Sequence, residues 1–183
     1  MSLHIRHATS DDVPALARLH VQTFNETHRG GRSGGPSYAL RERQWRETFA
    51  VTDGSWFCFV VEDDNGELVA FAKGTPHDGS VPGFAGELNK IYALQRVHRQ
   101  GVGRLLLGNV AHRFLGQGVT SMLLFGEATN PSNGFYEAFG AEGFTVAMAS
   151  STAGTAGVTC ACLLTGAAVL NRWRSGESIS VIR

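Results

Sequence analysis

Residues 94–107, LQRVHRQGVGRLLL, constrain the fold more than any other stretch of this chain. They join an apolar, strand-like run to an amphipathic helical pattern through Gly101-Val102-Gly103. Arg96, His98, Arg99, Gln100 and Arg104 crowd the junction. A strand that turns through Gly-x-Gly into a helix aims several backbone N–H groups at one spot, at the positive end of the helix dipole. Such a junction is an anion site. Glycines let a phosphate approach the backbone with no Cβ in the way, and arginines add cationic arms. The tripeptide alone also suits an ordinary tight turn, so its surroundings decide.

Those surroundings predict an ordered series of elements. Residues 3–8 read as a strand. Thr9, Ser10, Asp11 and Asp12 form a helix N-cap cluster with Pro14 tolerated in the first turn. Val13, Leu16, Ala17, Leu19, His20 and Phe24 follow at helical spacing. The glycine-rich stretch 28–37 reads as a loop and residues 38–49 as a second helix. Residues 55–62 make a buried strand, Asp63-Asp64-Asn65-Gly66 a hairpin turn, and residues 67–75 the partner strand. After a second loop, residues 85–94 form the strand that feeds the Gly-x-Gly turn. A helix over 101–116 carries the stripe Val102, Leu105, Leu106, Val110 and Phe114. A strand over 119–125, a short helix over 131–139, and a hairpin of 144–149 with 158–164 complete the series.

This order predicts a mixed α/β fold, with a mostly antiparallel sheet flanked by helices. A dinucleotide-binding fold would carry its glycine fingerprint after the first strand, and none stands there. The 183 residues read as one domain over 1–165 with a tail, 166–183, that packs on the domain or on a second subunit, which makes a homodimer possible. Sixteen basic and sixteen acidic residues balance, which argues against a general nucleic-acid or membrane-surface binder. A local basic cluster remains: Lys90, Arg96, Arg99 and Arg104. Cys58, Cys160 and Cys162 form no even disulfide framework and no usual metal-ligand spacing, and read as reduced thiols of a cytoplasmic protein. No leader-like segment opens the chain, and no apolar run approaches the roughly 18 residues that span a bilayer.

The segment GELNKIYALQRVHRQGVGRLLL, residues 86–107, resembles the acetyl-CoA-binding core of the GCN5-related N-acetyltransferase (GNAT) superfamily. The family's pattern is Gln or Arg, two residues, Gly, one residue, then Gly or Ala. Here His98 holds the first position, before Gly101 and Gly103. A second segment, NPSNGFYEAFGA over 130–141, is similar to the family's later Asn and Phe-Tyr-Glu motif. IRHATSDDVPALARLH, 5–20, looks like its opening strand and helix. The resemblance spans roughly residues 3–164 and implies the GNAT fold.

The resemblance also implies roles. Arg99, Gln100, Gly101, Val102, Gly103 and Arg104 would grip the CoA pyrophosphate, largely through main-chain amides. Ile91, Tyr92, Ala93 and Leu94 would bond the pantetheine like a neighbouring strand. Asn130 would contact pantetheine or cap the short helix, and Asn133 would be exposed or touch CoA. Acyl transfer to an amine needs the amine deprotonated, a donor for the oxyanion and a proton for the thiolate. Glu87 is the candidate base or water-positioning group, set against pairing with Lys90 or plain exposure. Tyr136 is the candidate acid, set against a core role beside Phe135 and Phe139. The oxyanion donor would be a backbone N–H near Tyr92 or Ala93. No metal is required.

Asn25, Glu26, Tyr38, Trp45 and Asp78 are candidates for acceptor recognition. A carboxylate of Glu26 or Asp78 would suit a cationic amine. His28 and His77 sit in the bordering loops as surface or substrate-touching residues. The expected function is transfer of acetyl from acetyl-CoA to a primary amine by direct attack in a ternary complex, with a small-molecule acceptor. The alternatives are a protein N-terminal or lysine acetyltransferase, and a non-catalytic acyl-CoA sensor.

Overall fold

Phe57-Cys58-Phe59-Val60-Val61 is an unbroken apolar run, and such a strand must bury both faces. A computed structural model of the protein, which describes residues 2–28, 35–127, 130, 132–146 and 159–165, shows it doing so. β1 (His4–His7) and β3 (Leu68–Pro76) pair antiparallel with this strand, β2 (Phe57–Glu62), on its two edges. The β2–β3 turn is the expected one: Asp63 O accepts from Gly66 N at 2.9 Å and Glu67 O from Asp63 N at 3.0 Å.

The described residues fall into two compact units, one from residues up to Gly74 and Lys90–Val110, the other from Thr75–Asn89 and residues from Ala111 onward. In the first unit β1, β2 and β3 are followed in the sheet by the second half of β4 (Gly86–Ala93). Helices α1 (Val13–His28) and α2 (Tyr38–Ala50) belong to the same unit. The N-cap cluster forms a 3-10 turn over Ser10–Asp12 before α1. Asp12 Oδ2 accepts from Thr9 N at 2.7 Å, and Arg6 grips both Asp12 oxygens at 2.7 and 2.8 Å. That guanidinium also binds Glu62, so one arginine ties β1, β2 and the start of α1. Ser37 caps α2 by accepting from Leu40 N at 3.2 Å.

In the second unit the first half of β4 pairs in parallel with β5 (Ser121–Leu123), but only at Gly86–Met122 and Glu87–Leu123. The single strand expected over 119–125 is two strands, β5 and β6 (Phe125–Glu127), interrupted at buried Leu124. Both pair antiparallel with β8 (Thr159–Thr165). β5 is held on its other edge by β4 and β6 is not, so the interruption falls where that support ends. β8 pairs on its far side with β7 (Glu142–Val146), giving the expected closing hairpin with shifted bounds.

Helix α3 (Val102–Gly116) runs through both units and buries Val102, Leu106, Leu107, Val110, Ala111 and Phe114. Leu105 is only half-buried, so the apolar face is centred one residue further along than the expected stripe. The short helix expected over 131–139 is a single turn, α4 (Asn133–Glu137). The tail 166–183 lies outside the described residues, as do the side chains of His28, Cys160 and Cys162.

Candidate active site

β4 does not run straight into the glycine turn. Leu94 donates its N–H to Val69 O at 2.9 Å, and its own carbonyl accepts from Val97 N at 3.0 Å. A 3-10 turn over Gln95–Val97 intervenes, pinned by Val97, which is fully buried. The strand-like contact to a ligand expected of Leu94 is therefore corrected: both its backbone groups are spent inside the fold. His98 Nε2–H donates to Ala93 O at 2.9 Å, folding the side chain back on the strand end. Gln100 closes the turn by donating to Arg96 O at 2.9 Å. Arg96 is not a phosphate arm. Its guanidinium binds Asp63 at 3.2 Å and Glu67 at 2.8 Å, anchoring the turn to the β2–β3 connection.

The chain then passes through two left-handed residues, Arg99 at φ 60° and Gly101 at φ 82°. A Cβ on Gly101 would meet no atom within 4 Å, so the space beside this backbone is open. Leu105 N to Gly101 O, at 2.9 Å, closes the first turn of α3. The N–H groups of Val102 and Gly103 precede that bond and have no acceptor inside the helix. Arg99 is exposed and Arg104 half-buried beside them. Amide donors, a helix N-terminus, two arginines and an open glycine surface fit a diphosphate.

Glu87 lies near the start of β4 in the second unit, its side chain 18% exposed. Asn89 Nδ2, on the same strand face, donates to its Oε1 at 2.8 Å. His77 Nδ1 lies 3.6 Å from its Oε2, and the His77 side chain is fully buried. Val81 N–H donates to His77 Nε2 at 2.9 Å. A ring nitrogen that accepts carries no proton, so the proton sits on Nδ1 and faces Glu87. Ser80 Oγ at 3.4 Å and Asp78 Oδ1 at 3.5 Å also flank Nε2, and Asp78 Oδ1 accepts from Ser80 N at 2.8 Å. Sequence reasoning left His77 in a bordering loop. The missed signal is the hairpin register, in which His77 N donates to Ala85 O at 3.0 Å and so brings the histidine level with Glu87.

Asn130 Oδ1 accepts from Ser132 N at 2.9 Å, and Asn130 O accepts from Asn133 N at 3.0 Å. These bonds form an Asx turn ahead of α4, whose N-cap is Ser132 with no side-chain cap bond. Asn133 is half-buried rather than exposed. Tyr136 is 8% exposed, its ring edge-on to Phe135 at 5.1 Å, while Phe135 in turn stacks edge-on with Phe139. Burial pushes the Cys58 thiol up, with smaller opposing effects from nearby charges, so it is protonated at neutral pH and no nucleophile.

Of the acceptor candidates, Glu26 is committed: it accepts from Gln95 N at 2.8 Å and from Gln22 Nε2 at 3.0 Å. It lines an open pocket of about 510 Å³ with Arg18, Val21, Gln22, Asn25 and Tyr38. Trp45 lies in a different place, 3% exposed and packed edge-on against His20 and Phe71. Ile91, Tyr92 and Ala93 are half-buried, and the Tyr92 ring joins the His20–Phe71 cluster.

The acetyltransferase (GNAT) family model matches residues 15–141. The chain belongs to the GNAT family. It is 30% identical over 142 residues to the uncharacterized N-acetyltransferase YuaI of Bacillus subtilis (strain 168), a match covering 75% of this chain and 79% of that protein. Among solved structures, a ribosomal-protein-alanine N-acetyltransferase from Brucella melitensis is similar with TM-score 0.67 and 25% identity, over 88% of this chain and 99% of that one. The PaiA N-acetyltransferase of Thermoplasma acidophilum, solved in complex with coenzyme A, is similar with TM-score 0.65 and 14% identity, over 90% and 99%. This GNAT chain is an acetyl-CoA-dependent N-acetyltransferase, and the diphosphate geometry at Arg99–Arg104 fits that acetyl donor. Among the described residues no group of three or more His, Cys, Asp or Glu is arranged to hold a metal, and no helix is long and apolar enough to cross a membrane.

Proposed function

We propose that this GNAT enzyme transfers acetyl from acetyl-CoA directly to the primary amine of a small molecule, within a ternary complex. The observation that carries the reading is the Glu87 carboxylate, largely buried and bracketed by the Asn89 amide and the His77 ring. A base for an ammonium must be ionised, oriented and shielded from bulk water, and that bracket serves all three.

In this reading the amides of Gly101, Val102 and Gly103, with Gln100 beside them and Arg99 and Arg104 as counter-charges, hold the pyrophosphate. Ile91 and Ala93 present backbone groups to the pantetheine, with Tyr92 buttressing the strand from the core. Successive N–H groups of a strand point to opposite edges, and that of Leu94 is committed to Val69. The N–H of Ala93 is thus the better oxyanion donor of the two considered. Glu87 takes the amine proton, directly or through a water. The amine nitrogen attacks the thioester carbonyl, the C–S bond breaks as Tyr136 gives its phenolic proton to the departing thiolate, and the surplus proton of the acylated nitrogen passes through solvent to restore the phenol. Asn130 and Asn133 fix the turn that carries Tyr136.

Calorimetric titration of acetyl-CoA, paired with thiol-release assays on an amine panel, tests this. Gly103→Val should lose acetyl-CoA binding, because a side chain would occupy the phosphate approach. Glu87→Gln should lower kcat by roughly 10²–10⁴. Tyr136→Phe should lower kcat while leaving acetyl-CoA affinity nearly unchanged. Unaltered turnover in either variant removes that residue from the mechanism. Binding without transfer to any amine would instead identify an acyl-CoA sensor, and transfer confined to peptide N-termini a protein acetyltransferase.

A further inference from the structure

Glu26 stands in the last turn of α1, where a carboxylate is out of place. A helix ends in unsatisfied carbonyls and a negative pole, which favour Lys, Arg or His. The carboxylate is occupied within the fold. Gln22, one turn earlier, donates Nε2–H to Oε1 at 3.0 Å and steadies the side chain. Oε2 is then aimed at the backbone N–H of Gln95, 69 positions away, and accepts from it at 2.8 Å.

Gln95 opens the 3-10 turn between β4 and α3. The first N–H groups of a helical turn have no acceptor inside it, and the N-cap side chain normally supplies one. Here the N-cap is Leu94, which makes no side-chain cap bond. Glu26 fills that role from across the fold, and a negative charge suits the positive start of the turn. The exchange is reciprocal. Gln95 Nε2 donates to Glu26 O at 3.3 Å, so the glutamine satisfies one of the last carbonyls of α1. Each side chain caps the other's helix.

What this clasp holds is the approach to the glycine loop. Gln95 O accepts from His98 N at 3.1 Å, and Gln100 Nε2 donates to Arg96 O at 2.9 Å. Both bonds tie the turn to the neighbours of Arg99, the non-glycine residue held at φ 60°. Arg96 grips Asp63 and Glu67, while Glu26 grips the adjacent residue from α1, so two different elements fix one turn. α1, the turn and the loop up to Arg104 all lie in one compact unit.

We infer that Glu26 is a positioning residue for the acetyl donor: by capping the Gln95 turn it fixes the backbone that receives the pyrophosphate. The inference rests on the placing of the pyrophosphate at Arg99–Arg104 in the reading above, and not on Glu87 or Tyr136. It replaces the expectation that Glu26 selects a cationic acceptor.

Calorimetric titration of acetyl-CoA, with no amine present, tests it. Glu26→Ala should weaken binding at least about fivefold, because the turn loses a charged hydrogen bond. Glu26→Gln keeps a carbonyl oxygen that accepts from Gln95 N, and should stay within about twofold of the unsubstituted protein. Gln95→Pro removes the donor and leaves the turn intact. Proline fits the first position of a helical turn, and the Leu94 backbone before it, at ψ 142°, already suits a following proline. This variant should match Glu26→Ala, and combining the two should weaken binding no further. The KM for the amine should stay the same throughout, which a general loss of fold would not allow. Losses that multiply in the double variant overturn the clasp. Unaltered acetyl-CoA affinity in Glu26→Ala overturns the inference, and a raised amine KM in both Glu26 variants would return the carboxylate to the acceptor. Gly103→Val separates the two readings. If it loses acetyl-CoA while Glu26→Ala does not, the loop is correctly placed and Glu26 does not position it; if it binds normally, both readings fall.

Discussion

His77 shows what a single side chain contributes without touching substrate. Its Nε2 is occupied by the Val81 amide, which leaves Nδ1–H aimed at Glu87 across 3.6 Å, a few tenths beyond hydrogen-bond length. A small movement of either side chain completes the bond. We expect His77→Phe, which keeps a ring in place, to lower kcat, because the Glu87 carboxylate loses a polar neighbour that orients it. The KM for acetyl-CoA should not change. An unaltered kcat would make His77 a packing residue. Glu87 and Tyr136 were legible as candidates because they stand in segments with a family pattern. His77 was not, since nothing in HDGS distinguishes a buried histidine from a loop histidine until the hairpin register is known. Asn130, by contrast, makes the local bond its own chemistry favours, an Asx turn to the amide two residues on, although Ser132 and not Asn130 stands at the N-cap of α4.

Among the elements, the turn between β4 and α3 departs most from its expected form. Periodicity located the strand and the helix to within a residue or two, but not the 3-10 turn between them. That turn depends on long-range partners: Val69 for Leu94, and Asp63 and Glu67 for Arg96. The interruption at Leu124 escaped notice for the same reason, since residues 119–125 are uniformly strand-like and only β4 and β8 define where one strand ends. Arg96 is 42% exposed at its side chain, but Asp63 is only 3% exposed at its own, so removing the guanidinium leaves a buried carboxylate held by the Asn65 and Glu67 amides alone. Arg96→Ala should therefore cost about 1–3 kcal/mol in chemical denaturation. Its effect should fall on the loop, with acetyl-CoA binding weakened several-fold in calorimetry although Arg96 makes no phosphate contact. A larger loss of stability with unaltered affinity would show that the anchor serves the fold and not the loop.

For the molecule as a whole, His20 and Asp12 are among the described groups that shape the response to acid. His20 is held down to about 3 by burial first and by Arg41 and Lys90 second. The unfolded chain binds a proton there near pH 6.5 and the folded one does not, so stability is complete above that value and falls as the pH drops below it. The loss proceeds at up to about 1.4 kcal/mol per pH step. Asp12 adds to it below its ordinary value of 3.8, because its carboxyl is held down by Arg6, against burial, and by the Thr9 amide. Thermal melts from pH 7.5 to 4.5 should show a falling Tm, and His20→Phe should flatten the slope; an unchanged slope would place the proton uptake elsewhere. The sequence disclosed the order of the elements and the neutral overall charge. It did not disclose that His20, at a plain helical core position, would gather Trp45, Phe71 and Tyr92 around it. That cluster sets the Trp45 indole edge-on beside an imidazole, with ring centroids 6.1 Å apart. Emission from an indole reports the polarity and protonation of its neighbours, so the protein carries its own optical gauge of proton uptake at His20, with no label attached.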